Sequence, residues 1–188
     1  MTQRPLFVVL LLALLAASAA GDGLNKAEVI SEVKKLKVAL SNIGYLGRYA
    51  AIAAALEKAI PSLETMDETD PRWGLLFQTT ILVPSNLALG MGGLGSLTGG
   101  GSKKLEKIGK MNVLNGIFTY GGLIRNKRFP TKLGCELRKY KVPMFMKKGS
   151  EIALGQSKNV LSWSQILNPG IYVGKYFVVH GVDALQKP

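Results

Sequence analysis

The sequence is short of the side chains that do chemistry. Its 188 residues include one histidine, His180, and one cysteine, Cys135. One imidazole and one thiol do not make a zinc site, so no metal or cofactor is expected. A lone cysteine excludes an intramolecular disulfide, and Cys135 is expected to be buried, with intermolecular pairing as the alternative. A histidine-based triad would need Asp183 and a serine to converge on His180. Strand alternation puts Asp183, three residues on, on the opposite face, so hydrolase-type activity is not expected. Asn-x-Ser/Thr is absent, and N-glycosylation is not expected.

Long apolar runs are scarce too. The one that occurs, Leu6 to Ala17, follows Arg4 and ends in Ser18-Ala19-Ala20-Gly21. Residues 1–20 therefore read as a secretory signal peptide. The run is shorter than the roughly 20 residues a spanning helix needs. The closing Gln186-Lys187-Pro188 is not the apolar tail of a GPI signal. The expectation is a mature single domain, 21–188, secreted and extracellular, without a transmembrane segment or anchor.

Acidic residues are few where basic ones are many. The formal charge is +12, and residues 103–148 hold thirteen Lys/Arg against Glu106 and Glu136, a net of +11. The candidate polyanion-binding residues are Lys103, Lys104, Lys107, Lys110, Arg125, Lys127, Arg128, Arg138, Lys139, Lys141, Lys147 and Lys148. Outside a cell such a band would meet acidic polysaccharide or anionic headgroups. Nucleic acid is not expected, because few aromatics interleave with the band for base stacking. A solvated, solubilising surface is the other reading of the same charges.

Two further patterns resemble sites. Gly90-x-Gly92-x-x-Gly95 matches a dinucleotide fingerprint in form, but the following residues are too rich in glycine to open a helix. No acid lies about 20 residues on to hold a ribose. Residues 90–101 read as a glycine-rich loop. Glu64, Asp67, Glu68 and Asp70 form an acidic loop without the order of an EF-hand, and read as a solvated turn.

Asn25 with Glu28 three residues later predicts a helix start. Val29, Val33, Leu36, Leu40 and Ile43 continue it at helical spacing, to about Gly44. A second helix is expected from about Tyr45 to Ile60, stopped by Pro61. A short strand over 79–86 ends at Pro84. From Ile108 onward short apolar runs alternate with turn pairs such as Asn115-Gly116, Gly121-Gly122 and Pro169-Gly170. Helices first and strands afterwards predict an α+β fold.

Several of these stretches together resemble the fasciclin domain. Residues 79–89, with Thr80, Pro84, Ser85 and Asn86, are similar to its first signature, with Leu89 in place of the usual aromatic. Residues 176–183, with His180 and Asp183, resemble the closing signature. Phe129-Pro130-Thr131 and the segment from Trp163 to Tyr172 resemble intervening motifs. The resemblance implies a fasciclin-like domain, with N-terminal helices packed on a β-sandwich-like wedge of two small sheets. It also implies an extracellular, non-catalytic adhesion, matrix or cell-wall protein, with His180 and Asp183 serving the fold. Its partner would be an extracellular protein or acidic polysaccharide, with self-association as one mode of adhesion. The family's central Tyr-His pair is missing from 113–120, so the receptor adhesion attributed to that stretch is not carried over. A small-molecule or lipid-binding carrier is the alternative.

Overall fold

In the computed structural model the described residues are 25–43, 47–70, 76, 78–90, 107–125, 128–133, 143–147, 152–155 and 163–186. The stretch read as a signal peptide, most of the glycine-rich loop and Cys135 lie outside them.

Helix α1 spans Lys26–Asn42, and the Asn25 side chain accepts a hydrogen bond from the Glu28 N–H at 3.2 Å. Its buried stripe, including Val29, Val33, Leu36 and Leu40, packs on α2, Ala50–Thr65. That second helix runs later than its sequence predicts, because Pro61 lies inside it. A proline there removes one helical N–H and crowds the carbonyl four residues back. Pro61 and Glu57, whose carbonyl loses that partner, are both exposed, while Ala59 and Leu63 keep the helix seated in the core. Exposed pairs Lys34–Glu64 and Lys37–Glu57 run between the helices.

The remaining elements are the seven strands of one curled sheet and two short helices. They are β1 (Thr79–Pro84), the short helix α3 (Asn86–Ala88), β2 (Val113–Asn115), α4 (Tyr120–Arg125), β3 (Arg128–Pro130), β4 (Pro143–Lys147), β5 (Ala153–Gly155), β6 (Ser164–Val173) and β7 (Phe177–Val182). Strand order is β2-β1-β7-β6-β5-β4-β3. The β1–β7 pair is parallel, with Leu82 opposite His180, and every other pair is antiparallel. A bridge between Leu114 and Thr131 brings the two outer strands together. Long β6 pairs with β5 through its first residues and with β7 through the rest, so it joins two smaller halves. The architecture is α+β, with N-terminal helices on a curled sheet.

Two turn expectations resolve differently. Gly121 and Gly122 lie within α4. Pro169-Gly170 forms no turn between strands but an irregularity inside β6, where the register jumps between Asn168 and Tyr172. Gly170 has φ +66, the left-handed region open to glycine at little cost.

All six residues of β7 are buried. Alternation sends Phe177 and Val179 into the core beneath the helices, which also holds Val83. Leu82 and Val182 belong instead to a second cluster on the opposite face, with Leu114, Leu123, Phe129, Leu154 and Ile166. Among the described residues no helix is long and apolar enough to cross a membrane.

Candidate interaction surface and its polar scaffold

The sole histidine sits on the face of β7 turned away from the helices and is 0% exposed. The Gly170 N–H donates to its Nδ1 at 2.8 Å, and its Nε2 lies 2.8 Å from the Phe118 carbonyl. A ring nitrogen that accepts carries no proton, so His180 is the neutral tautomer with its hydrogen on Nε2. Burial holds its pKa below the usual imidazole range, with the Phe118 hydrogen bond opposing. Both nitrogens are occupied by backbone groups, so the imidazole joins the bulge of β6 to the loop after β2.

The other signature residues do related work. Thr80 Oγ1 donates to the Gly116 carbonyl at 2.8 Å and accepts from the Phe118 N–H at 2.7 Å. Thr80 and His180 thus hold the same loop from neighbouring strands. Phe118 packs edge-on against Phe129, with ring centroids 4.9 Å apart. Ser85 caps α3 by accepting from the Ala88 N–H. Asn86 reaches back to the start of α2, accepting from the Ala51 N–H and donating to the Gly47 carbonyl. It supplies the side-chain cap that Tyr49, at the N-cap position, does not. Pro84 closes β1 opposite Val182. Asp183 Oδ1 accepts from the Gln165 N–H at 2.7 Å, pinning β6 rather than orienting His180.

Several residues in this scaffold have no signal in the local sequence. Asn168 Oδ1 accepts from Tyr49 Oη at 2.9 Å and from Arg48 Nη1 at 3.3 Å. Burial pushes the Tyr49 hydroxyl up to about 12. Tyr49 lies so close to Gly181 that a Cβ there would sit on its hydroxyl. Asn112 and Gln186 clasp each other, with Asn112 Nδ2 on the Gln186 carbonyl and Asn112 Oδ1 on the Gln186 N–H, both at 2.9 Å. Gln186 Nε2 continues to Ser164 Oγ and the Leu154 carbonyl. Glu32, buried on α1, accepts from the Lys175 and Tyr176 N–H groups at the β6–β7 turn. Beside it Glu28 meets Lys175 Nζ and Tyr176 Oη. The hydrogen bond from Lys175, then that from Tyr176, lowers the Glu28 pKa. Among the described residues no buried side-chain nitrogen or oxygen is left without a partner.

The basic band divides. Lys107 and Arg125 are exposed. Lys110 is 5% exposed and partnered, so it belongs to the packed interior and drops out of a solvent-facing set. It lies in the helical turn 107–111, whose neighbours Ile108 and Met111 face the core. Arg128 and Lys147 are placed on β3 and β4 by backbone. Lys103, Lys104, Lys127, Arg138, Lys139, Lys141 and Lys148 lie outside the described residues. In the acidic loop Asp67 Oδ1 accepts from the Thr69 N–H and hydroxyl, an Asx turn that lowers the Asp67 pKa. Glu64 is paired with Lys34. Among the described residues no cluster of metal-ligating groups forms.

A cavity of about 50 Å³ lies between α1, α2 and β1, lined by Leu36, Leu56, Leu82, Ile108 and other apolar residues. Small-molecule sites usually enclose about 300–1,000 Å³, several-fold more. Exposed large apolar side chains include Leu87 on α3, Val173 at the end of β6, Ile117 within the His180-bound loop and Tyr120 just after it.

No protein-family model and no curated protein matches the chain. Among solved structures the chain is similar, over 82% of its length, to a FAS1 domain pair from the insect cell adhesion molecule fasciclin I, at 13% identity and a TM-score of 0.47. It spans 45% of that domain pair.

Proposed function

We propose that the chain is a secreted, non-catalytic adhesion or matrix-binding domain whose basic band contacts acidic polysaccharide. The observation that carries this reading is the charge asymmetry: a net of +11 between residues 103 and 148 within a total of +12. Lys107 and Arg125 present part of that charge to solvent. A surface of this kind attracts polyanions over roughly a Debye length, about 10 Å at 0.1 M salt. The non-catalytic part is supported by the engagement of both His180 nitrogens with backbone. The resemblance of the end signatures to fasciclin domains fits the same reading, with an extracellular protein or a second copy of the chain as further partners.

The test is retention of the protein on immobilised polygalacturonate at 0.05 M and 1 M salt, beside a variant carrying Lys103→Glu, Lys104→Glu, Lys107→Glu and Arg125→Glu. Retention that is lost in high salt and in the variant is expected. Retention indifferent to the four reversals would sink the polysaccharide reading. A parallel pull-down from extracellular matrix extract separates specific protein contact from charge-driven binding.

A further inference from the structure

One of the hydrogen bonds that hold the β6 bulge exists in only one protonation state of the chain's single histidine. In the ladder between β6 and β7, Asn168 pairs with Gly181 and Tyr172 with Val179. Pro169, Gly170 and Ile171 between them are left out of the ladder, and the Gly170 N–H turns to His180 Nδ1. That nitrogen must keep its lone pair. A proton on Nδ1 would set donor against donor and remove the bond. The opposite side of the ring behaves differently, because Nε2 carries a hydrogen in both states and the Phe118 carbonyl remains its acceptor. Phe118 is also held independently, through its own N–H on Thr80 Oγ1.

The geometry points to an acid-released latch: protonation of His180 frees the bulge at 168–171 while the loop at 116–118 stays bound. The bulge sits between surface and core. Pro169 and Gly170 are exposed, whereas Ile171 packs in the core beneath the helices. Asn168 joins it to Arg48 and Tyr49 at the start of α2. Release would therefore loosen the contact between β6 and α2 and uncover Ile171.

Other titratable groups on the surrounding elements are engaged elsewhere or face solvent. Arg48 and Tyr49 are committed to Asn168. Tyr172 on β6 has its pKa raised by burial and by Glu32. Lys175 and Tyr176 at the turn face Glu28, and Asp183 on β7 faces Gln165. Tyr120 and Arg125 are exposed on α4, and β1 has no ionisable side chain. None of them contributes a charge interaction to the His180 shift, whose causes are burial and then the Phe118 hydrogen bond.

The test uses the full chain, in which every imidazole signal belongs to His180. The ring titration and the protection factors of the Gly170 and Phe118 amides are followed by NMR from pH 7.5 to 4.5. Gly170 is expected to lose at least tenfold in protection with the midpoint of the imidazole, below the ordinary value near 6.5, while Phe118 keeps its protection. Gly170 protection that persists through the titration would overturn the latch. Loss of both amides together would overturn it as well, since that is global unfolding. His180→Gln supplies a second check, because an amide oxygen accepts at any pH. Where this variant folds, Gly170 protection should be flat across the range, and a retained pH step would assign the transition to another group. Where it does not fold, the wild-type titration decides alone.

Discussion

The two faces of the sheet are built on different principles. Beneath α1 and α2 the core is broad and mainly apolar, with Val, Leu, Ile and Ala at helical spacing meeting Phe177 and Val179, and Glu32 and Tyr49 bring the hydrogen bonds buried there. On the other face the cluster is smaller, drawing one residue from most of its elements. There the packing is supplemented by side chains aimed at backbone: Thr80 and His180 on the loop at 116–118, and Asn112, Ser164 and Gln186 around the chain's closing residues. An apolar interface tolerates exchange of like-sized residues. A buried polar network does not, because a deleted partner leaves an orphaned donor or acceptor. The faces should therefore respond to mutation with different severity.

The largest effect is expected from His180→Ala, which opens a cavity and orphans the Gly170 N–H and the Phe118 carbonyl. A loss of about 3 kcal/mol or more follows from these combined mechanisms, read as a lower urea midpoint and reduced yield. A variant as stable as the wild type would show that the two hydrogen bonds add nothing to the fold. Thr80→Val keeps the shape of its side chain but removes two hydrogen bonds, and should cost about 2 kcal/mol. Leu56→Met, on the helix-facing side, should cost less than about 1.5 kcal/mol. Equal losses from these two changes would dissolve the contrast between the faces.

Acid should sharpen the contrast by a smaller amount. Burial depresses the folded pKa of His180, so the unfolded chain binds the proton more readily. Its contribution is fully present above the unfolded value, near 6.5, and is lost as pH falls through 6.5 toward the folded pKa. Denaturation midpoints between pH 7.5 and 5.5 should fall with a slope no greater than one proton, and a midpoint that rises with acid would refute the sign. The smallest effect is expected at the exposed Lys34–Glu64 pair, where screening by water and salt leaves little to lose. Lys34→Ala should leave the urea midpoint unchanged within error.

How much was legible in the sequence follows the same division. The α1 start could be read from Asn25 and Glu28, and its buried stripe from periodicity, because both are local patterns. The end of α2 could not. Pro61 is a stop by local rule, and the burial of Ala59 and Leu63 in the core carries the helix past it. Pro169-Gly170 has the chemistry of a turn, yet His180 and the flanking ladder turn it into a bulge within β6. In the basic band the charge was visible, but burial was not. Lys110 looks like its neighbours in sequence and differs only because the turn at 107–111 faces inward.

The amino-acid order determined the α+β class, the concentration of charge between 103 and 148 and the scarcity of reactive side chains, since each follows from composition or short-range spacing. Tertiary structure decided what the scarce groups do. His180 meets Phe118 across 62 positions, and Gln186 meets Asn112 across 74. No local pattern encodes such pairs, because strand register and the curl of the sheet choose which distant backbone groups come within hydrogen-bond reach. The same register turns a lone histidine into a joint between a bulge and a loop, held while its Nδ1 carries no proton.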